Sequence, residues 1–199
     1  GHGKTAVDSG TPTYVSGAPF GGKAISFDGQ GNAIVTARLN ISPAALPKLT
    51  MGAWVKAASI ATPQYGIISN DDGNFDRTLG IDTRPVPSAV VWSAFVGGTV
   101  VGKLPVTTGK WLFVAVSYDQ SAMPGTYAFY VNDGSKTTTL TGAANFDGDS
   151  HTDVVTIGRN PSFDSNFNGL VANAFFYKGV LSSKQIAAII ARGPQAIPR

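Results

Sequence analysis

The chain contains no cysteine and no glutamate, and only two histidines. Each absence removes a class of chemistry. Without cysteine there are no disulfides, no thiol nucleophile and no thiolate zinc site. Without glutamate, all twelve acidic residues are Asp, and any carboxylate chemistry must use Asp alone. No stretch approaches the roughly 18 consecutive apolar residues of a membrane helix, so membrane insertion is not expected. Charge is also scarce, at 14% of residues. The Lys and Arg residues are scattered, so the net charge of +3 and pI of about 9.2 do not read as a phosphate-binding surface. Nucleic acid is not an expected partner.

What is present is turn chemistry and alternation. Among 199 residues there are 24 Gly and 12 Pro, with 43% hydrophobic residues, a composition suited to many short strands joined by turns. Strand-like runs, rich in β-branched and aromatic residues, fall at Ala24–Phe27, Ala33–Ala37, Thr50–Ala57, Gly66–Ser69, Arg77–Asp82, Ala89–Phe95, Trp111–Tyr118, Thr126–Asn132, Thr137–Leu140, Val154–Gly158 and Gly169–Lys178. Asp-Gly or Asn-Gly pairs at 28–29, 72–73, 133–134, 147–148 and 168–169 supply turns between them. Trp111–Tyr118 is apolar on both alternating sets, which predicts a central strand buried on both sides. Near the end, Ser182 and Gln185 form a capping box, Ile186, Ile189 and Ile190 an apolar stripe, and Gly193-Pro194 a stop, which predicts one short helix.

The expected fold class is all-β, a two-sheet antiparallel sandwich with one C-terminal helix. Residues 1–22, rich in Gly, Ser, Thr and Pro, are expected to run extended, with one domain over 23–199. The opening GHGKTAVDSG has no apolar signal core, and the expectation is a secreted or extracellular module excised from a larger protein.

The order of several segments resembles a known family. Ala24–Gly29 (AISFDG), Leu49–Lys56 (LTMGAWVK), Ile67–Ser69, Trp111–Asp119 (WLFVAVSYD), Ala128–Asn132 (AFYVN), Ile157–Arg159 and Phe167–Ser182 (FNGLVANAFFYKGVLS) are similar to the laminin-G-like, or concanavalin A-like, jelly-roll domains. The resemblance implies two stacked antiparallel sheets of six or seven strands, glycan or protein binding through loops, and in many members a Ca²⁺ ion near one edge. In the family an acidic pair on the last long strand sits at or near the metal. Here those positions are Ala172 and Asn173, and a carboxylate is lost.

Glycosidases of this fold need a pair of carboxylates in a Glu-x-Asp-x-x-Glu strand, and this chain has no Glu. A lyase needs a His or Tyr base beside an Arg or Gln clamp. His2 lies in the tail, His151 lies in an Asp-rich loop, and no Gln-x-His motif or Gly-x-Ser-x-Gly elbow occurs. No catalytic residue is therefore expected. For calcium, which takes six to eight oxygens, the family-type candidate is Asp28. A second group, Asp147, Asp149 and Asp153, alternates along a loop with Asn145 and His151; ordinary turn formation is the stronger account of these Asp residues.

The loop SNDDGNFDRTLGID (69–82) places Asn70, Asp71, Asp72, Asp76 and Arg77 around Phe75. Sugar recognition needs planar polar groups for paired hydroxyls and an aromatic face for the C–H side of the ring. These residues, with Trp92 and the rim pair Arg159-Asn160, are the expected ligand contacts. A solvated hairpin in which Arg77 neutralises its Asp neighbours explains the same pattern. Trp54 and Trp111 read as core, and Trp92 reads as core or binding face. The expected function is a non-catalytic carbohydrate-binding module whose partner is a glycan or polysaccharide. A protein–protein adhesion module is the alternative, and a polysaccharide lyase or hydrolase is the third reading.

Overall fold

The doubly apolar run at 111–118 forms β10 (Leu112–Asp119) in the computed structural model, with a strand neighbour on each side. The structure describes residues 6–37, 39–61, 65–71, 73, 76–145, 154–160 and 165–199. Two seven-stranded sheets are present. Sheet A runs β1 (Ala6–Ser9), β4 (Ala33–Ala37), β13 (Val154–Ile157), β6 (Tyr65–Ser69), β7 (Thr78–Asp82), β8 (Val91–Phe95) and β9 (Val100–Pro105). Sheet B runs β12 (Thr137–Ala144), β11 (Gly125–Asn132), β10, β5 (Lys48–Ala57), β14 (Asn168–Tyr177), β3 (Lys23–Asp28) and β2 (Thr13–Ser16). Every pairing is antiparallel.

The period-2 alternation of the strands splits the apolar residues into two layers. Met51, Ala53 and Val55 of β5 join Val114, Val116 and Tyr118 of β10, Leu79 and Ile81 of β7, and Trp92 and Ala94 of β8 in one buried cluster between the sheets. Burial of each larger side chain contributes about 1.5–3 kcal/mol. The opposite face of sheet B carries Trp54, Phe113 and Phe175, which pack with Ile186 and Ile189 of helix α1 (Ser183–Arg192). Trp54 and Phe113 meet edge to face at 4.9 Å, and Phe113 stacks on Phe175 at 6.3 Å. Gly52 lies close against Ala115 and Phe175: a Cβ there would stand 2.8 Å from the Ala115 Cβ and 2.9 Å from the Phe175 ring.

Helix α1 starts where its capping box requires. Ser182 Oγ accepts the Gln185 N–H, and Gln185 Oε1 accepts the Ser182 N–H at 2.9 Å. Its approach to sheet B is fixed by Thr50. The Thr50 hydroxyl donates to Gly179 O (2.8 Å), accepts the Leu181 N–H (3.0 Å) and lies 2.9 Å from Ser117 Oγ.

Three strands carry little sequence signal: β1, β2 and β9. The first two lie within the stretch read as an extended segment, and each extends one sheet at its edge, β1 against β4 and β2 against β3. Both are four residues long and mostly exposed, so neither shows the alternation that burial of one face imposes. No helix among the described residues is long and apolar enough to cross a membrane.

Candidate functional site

Two loops meet at the end of sheet A. The β6–β7 connection begins at Ser69, whose hydroxyl accepts the Asp71 N–H (3.2 Å) and lies 2.6 Å from Thr78 Oγ1. The Asn70 N–H donates to Arg77 O at 3.3 Å, drawing the loop's two ends together. The second loop follows β13. Thr156 Oγ1 lies 2.7 Å from Arg159 O and 3.3 Å from Ser69 O, and Arg159 pairs with Asn166 as an isolated bridge. This turn lies so close on β6 that a Cβ on Gly66 would stand 2.6 Å from the Asn160 nitrogen.

The contact between the loops is direct. Asn160 Nδ2 donates to Asp71 Oδ2 at 2.6 Å, while Asp71 Oδ1 accepts the Gly73 N–H at 3.1 Å. Both side chains are buried, Asp71 at 1% exposure and Asn160 at 5%. Asn70 is fully buried, and both its amide nitrogen and its amide oxygen lack a hydrogen-bond partner. Such a group costs about 1–3 kcal/mol unless water or a ligand meets it.

Other expected contacts lie elsewhere. Arg77 is buried at 3%, and its guanidinium does not face a ligand surface. Nη1 donates to Ile41 O and Leu46 O, both at 2.7 Å, and Nε and Nη2 donate to Gln120 Oε1. Its charge is taken up by carbonyl oxygens because the guanidinium fork spans several acceptors at once. Trp92 is core and not a binding face. Its register partner on β7 is Ile81, which points between the sheets, and Trp92 follows it to full burial. Its indole N–H has no partner there. Asp76 is buried beside the same loop. Arg159 is half-buried, with its Nε unpartnered. Asp72 and Phe75 lie outside the described residues.

Of the metal candidates, Asp28 is exposed at the end of β3 and uses Oδ1 to accept the Gln30 N–H at 2.9 Å, an ordinary Asx turn. Asp147, Asp149 and Asp153 lie outside the described residues. Among the described residues no three acidic or histidine side chains gather to hold an ion.

Sequence reasoning missed one charged feature, at the end of β7 opposite the β6–β7 loop. Asp82, buried at the end of β7, grips Arg84: Nε donates to its two oxygens at 3.0 and 2.9 Å, and Nη2 forms an ion pair with Oδ2. The Arg84 guanidinium lies 5.2 Å over the Phe95 ring and keeps 38% of its side chain exposed. The signal was the Asp-Thr-Arg-Pro run closing a strand, where Asp acts as turn former and clamp. Across this region the chemistry is that of fixed donors and acceptors. Among the described residues it holds no histidine and no activated nucleophile.

Comparison with known proteins locates this architecture. The Laminin_G_3 model, described as the concanavalin A-like lectin/glucanases superfamily, matches residues 28–187. No curated protein matches. Among solved structures, domain 4 of AbnA, a GH43 extracellular arabinanase from Geobacillus stearothermophilus in complex with arabinotriose, is similar at a TM-score of 0.61 and 17% identity. The match covers 97% of this chain and 88% of that one. The binding domain of botulinum neurotoxin DC in complex with SialylT is similar at a TM-score of 0.64 and 15% identity, over 94% of this chain and 46% of that one. The same toxin domain in complex with rat synaptotagmin II gives 0.64 and 16%, with the same coverages. The chain thus spans a little under half of the toxin binding domains, and at these identities the likeness is one of fold.

Proposed function

This chain belongs to the concanavalin A-like lectin/glucanases superfamily, and from that premise we propose that it is a non-catalytic, extracellular glycan-binding module. Recognition takes place at the end of sheet A, where the β6–β7 loop and the turn after β13 meet. The observation that carries this reading is the Asn160–Asp71 bond. It ties two loops of distant sequence into one rigid rim before any ligand arrives, and preorganised polar groups lose little entropy on binding. The unmet amide of Asn70 adds a donor and an acceptor of the kind that sugar hydroxyls satisfy. Binding is an equilibrium on loops held by a rigid scaffold, and the absence of Glu from the chain supports a role without bond cleavage.

A glycan array probed with the purified chain tests this, with calcium and again with a chelator. Retention of a defined glycan class supports the reading. Retention lost in the chelator assigns a role to calcium. An array without hits sinks the reading, and new reducing ends or unsaturated products from a polysaccharide panel sink its non-catalytic half.

A second reading rests on a separate observation. Tyr14 on β2 is about half exposed, at 48%, and its hydroxyl donates to Asp8 of β1. That exposed ring suits a protein partner, and capture of one that is lost on Tyr14→Ser, together with a blank array, would favour adhesion.

A further inference from the structure

Phe20 and Asn173 are the two non-glycine residues of the described chain with left-handed backbone, at φ 62° and 51°. Asn adopts this conformation fairly readily, whereas for Phe it is strained and persists only where the surroundings impose it. The two are coupled. Asn173 lies at the register shift in β14, and its Nδ2 donates to Pro19 O at 3.1 Å. That bond holds the residue just before Phe20 against sheet B.

The result is an aromatic ring held outward. Phe20 meets Trp54 edge to face at 5.4 Å and lies across Gly193, where a Cβ would stand 2.6 Å from its Cγ. Even so, Phe20 remains 51% exposed. The ring is thus half packed and half open to solvent. Beside the ring is a cleft of about 390 Å³ lined by Ala191, Arg192, Gln195 and Ala196, within the range of small-ligand sites. Arg192 and Gln195 are exposed, and neither side chain has a hydrogen bond or ion pair among the described residues. The lining includes a cation and no carboxylate.

We propose that this cleft, on the helix side of sheet B, binds the ring of a carboxylate-bearing sugar. The ring's C–H face lies on Phe20, Arg192 takes the carboxylate and Gln195 takes a hydroxyl. A guanidinium matches a carboxylate with two parallel hydrogen bonds, and an aromatic face matches the apolar side of a pyranose. Asn173 is a positioning residue that acts through Pro19. The proposal rests on the glycan-binding reading but uses a different face, and it gives the module two contact surfaces for one polymer, which raises avidity without any new contact at the rim.

Isothermal titration with trigalacturonate and a hyaluronan tetrasaccharide, with cellotriose as the neutral counterpart, tests it. Binding of an acidic oligosaccharide should exceed that of cellotriose and weaken at least tenfold in Phe20→Ala and in Arg192→Gln. Phe20→Tyr should retain it. Asn173→Ala should weaken it part of the way. Melting temperatures identical to the parent in Phe20→Ala and Arg192→Gln would show that folding is intact. Equal binding of cellotriose, or affinity unchanged in both variants, overturns the proposal. If the array retains a glycan while these variants change nothing, the platform falls and the rim reading stands. A chain that retains no glycan at all removes both.

Discussion

The Arg77 guanidinium holds Gln120 Oε1 from two nitrogens, Nε at 3.1 Å and Nη2 at 2.7 Å. Gln120 in turn donates its side-chain amide to Asn145 O at 2.7 Å, and the guanidinium lies 4.8 Å over the Tyr118 ring of sheet B. Arg77 enters from sheet A, so one side chain braces both layers and the connection between β4 and β5. Burial pushes the Tyr118 hydroxyl well above its ordinary range, with Arg77 opposing, and that hydroxyl donates to Phe95 O at 2.7 Å. Arg77→Lys keeps the charge but loses the fork. The expected loss is about 2–3 kcal/mol in denaturant unfolding, because several buried acceptors are left unmet. A loss below about 0.5 kcal/mol, the level of an ordinary surface change, would remove the brace from this account.

Asp71 and Asn160 should be energetically coupled. Asp71→Ala, Asn160→Ala and the double variant form a cycle in which the interaction is about 1–3 kcal/mol, as for a charge-assisted bond shielded from water. Additive losses would mean that the two loops are not locked together.

Stability should fall in acid over a defined window. The Ser121 hydroxyl, followed by Lys48 at 2.9 Å, lowers the Asp119 carboxyl from its ordinary value to about 2. The backbone N–H groups of Lys136 and Ser135 do the same for Asp133, also to about 2. A carboxyl with a depressed folded-state pKa stabilises the fold above its unfolded value near 4 and loses that contribution as pH falls toward the folded one. The melting temperature should therefore be level above about pH 5 with respect to these groups and drop between about pH 4 and 2. Asp133→Asn should lower the neutral-pH value and shallow the drop. An unchanged acid limb in that variant would contradict the assignment.

Thr50→Val replaces a hydroxyl with a methyl of similar shape, but leaves Gly179 O and the Leu181 N–H without their partner. The expected cost is about 1–3 kcal/mol. Hydrogen exchange should rise first in residues 179–192, where the helix joins sheet B. Uniform exchange across the chain would place the effect elsewhere.

The strands that bury a face were legible. The eleven runs rich in branched and aromatic residues all became strands, and Ser182 and Gln185 gave the helix start, because alternation and capping are local properties. The short edge strands β1 and β2 were not, since their stability comes from β4 and β3 and leaves no periodic mark. Asp71 and Asn160 were singled out as separate loop residues. Their meeting is a consequence of topology that places β13 beside β6, and no local pattern records it. Arg77 was legible as an unusual residue but not as a buried one, and for Trp92 the sequence left core and binding face both open. An arginine satisfied by carbonyl oxygens looks the same in sequence as one facing solvent.

By itself, the order of side chains determined that this polypeptide forms an all-β sandwich with one capped helix, and that no thiol or glutamate chemistry takes place in it. Only the tertiary structure decided which polar residues became braces, which became an interlocked rim and which aromatic ring remained outside. The reason is physical. Burial periodicity is written along a strand, but a hydrogen bond between loops depends on where separate strands are brought together, and that is fixed only when both layers close.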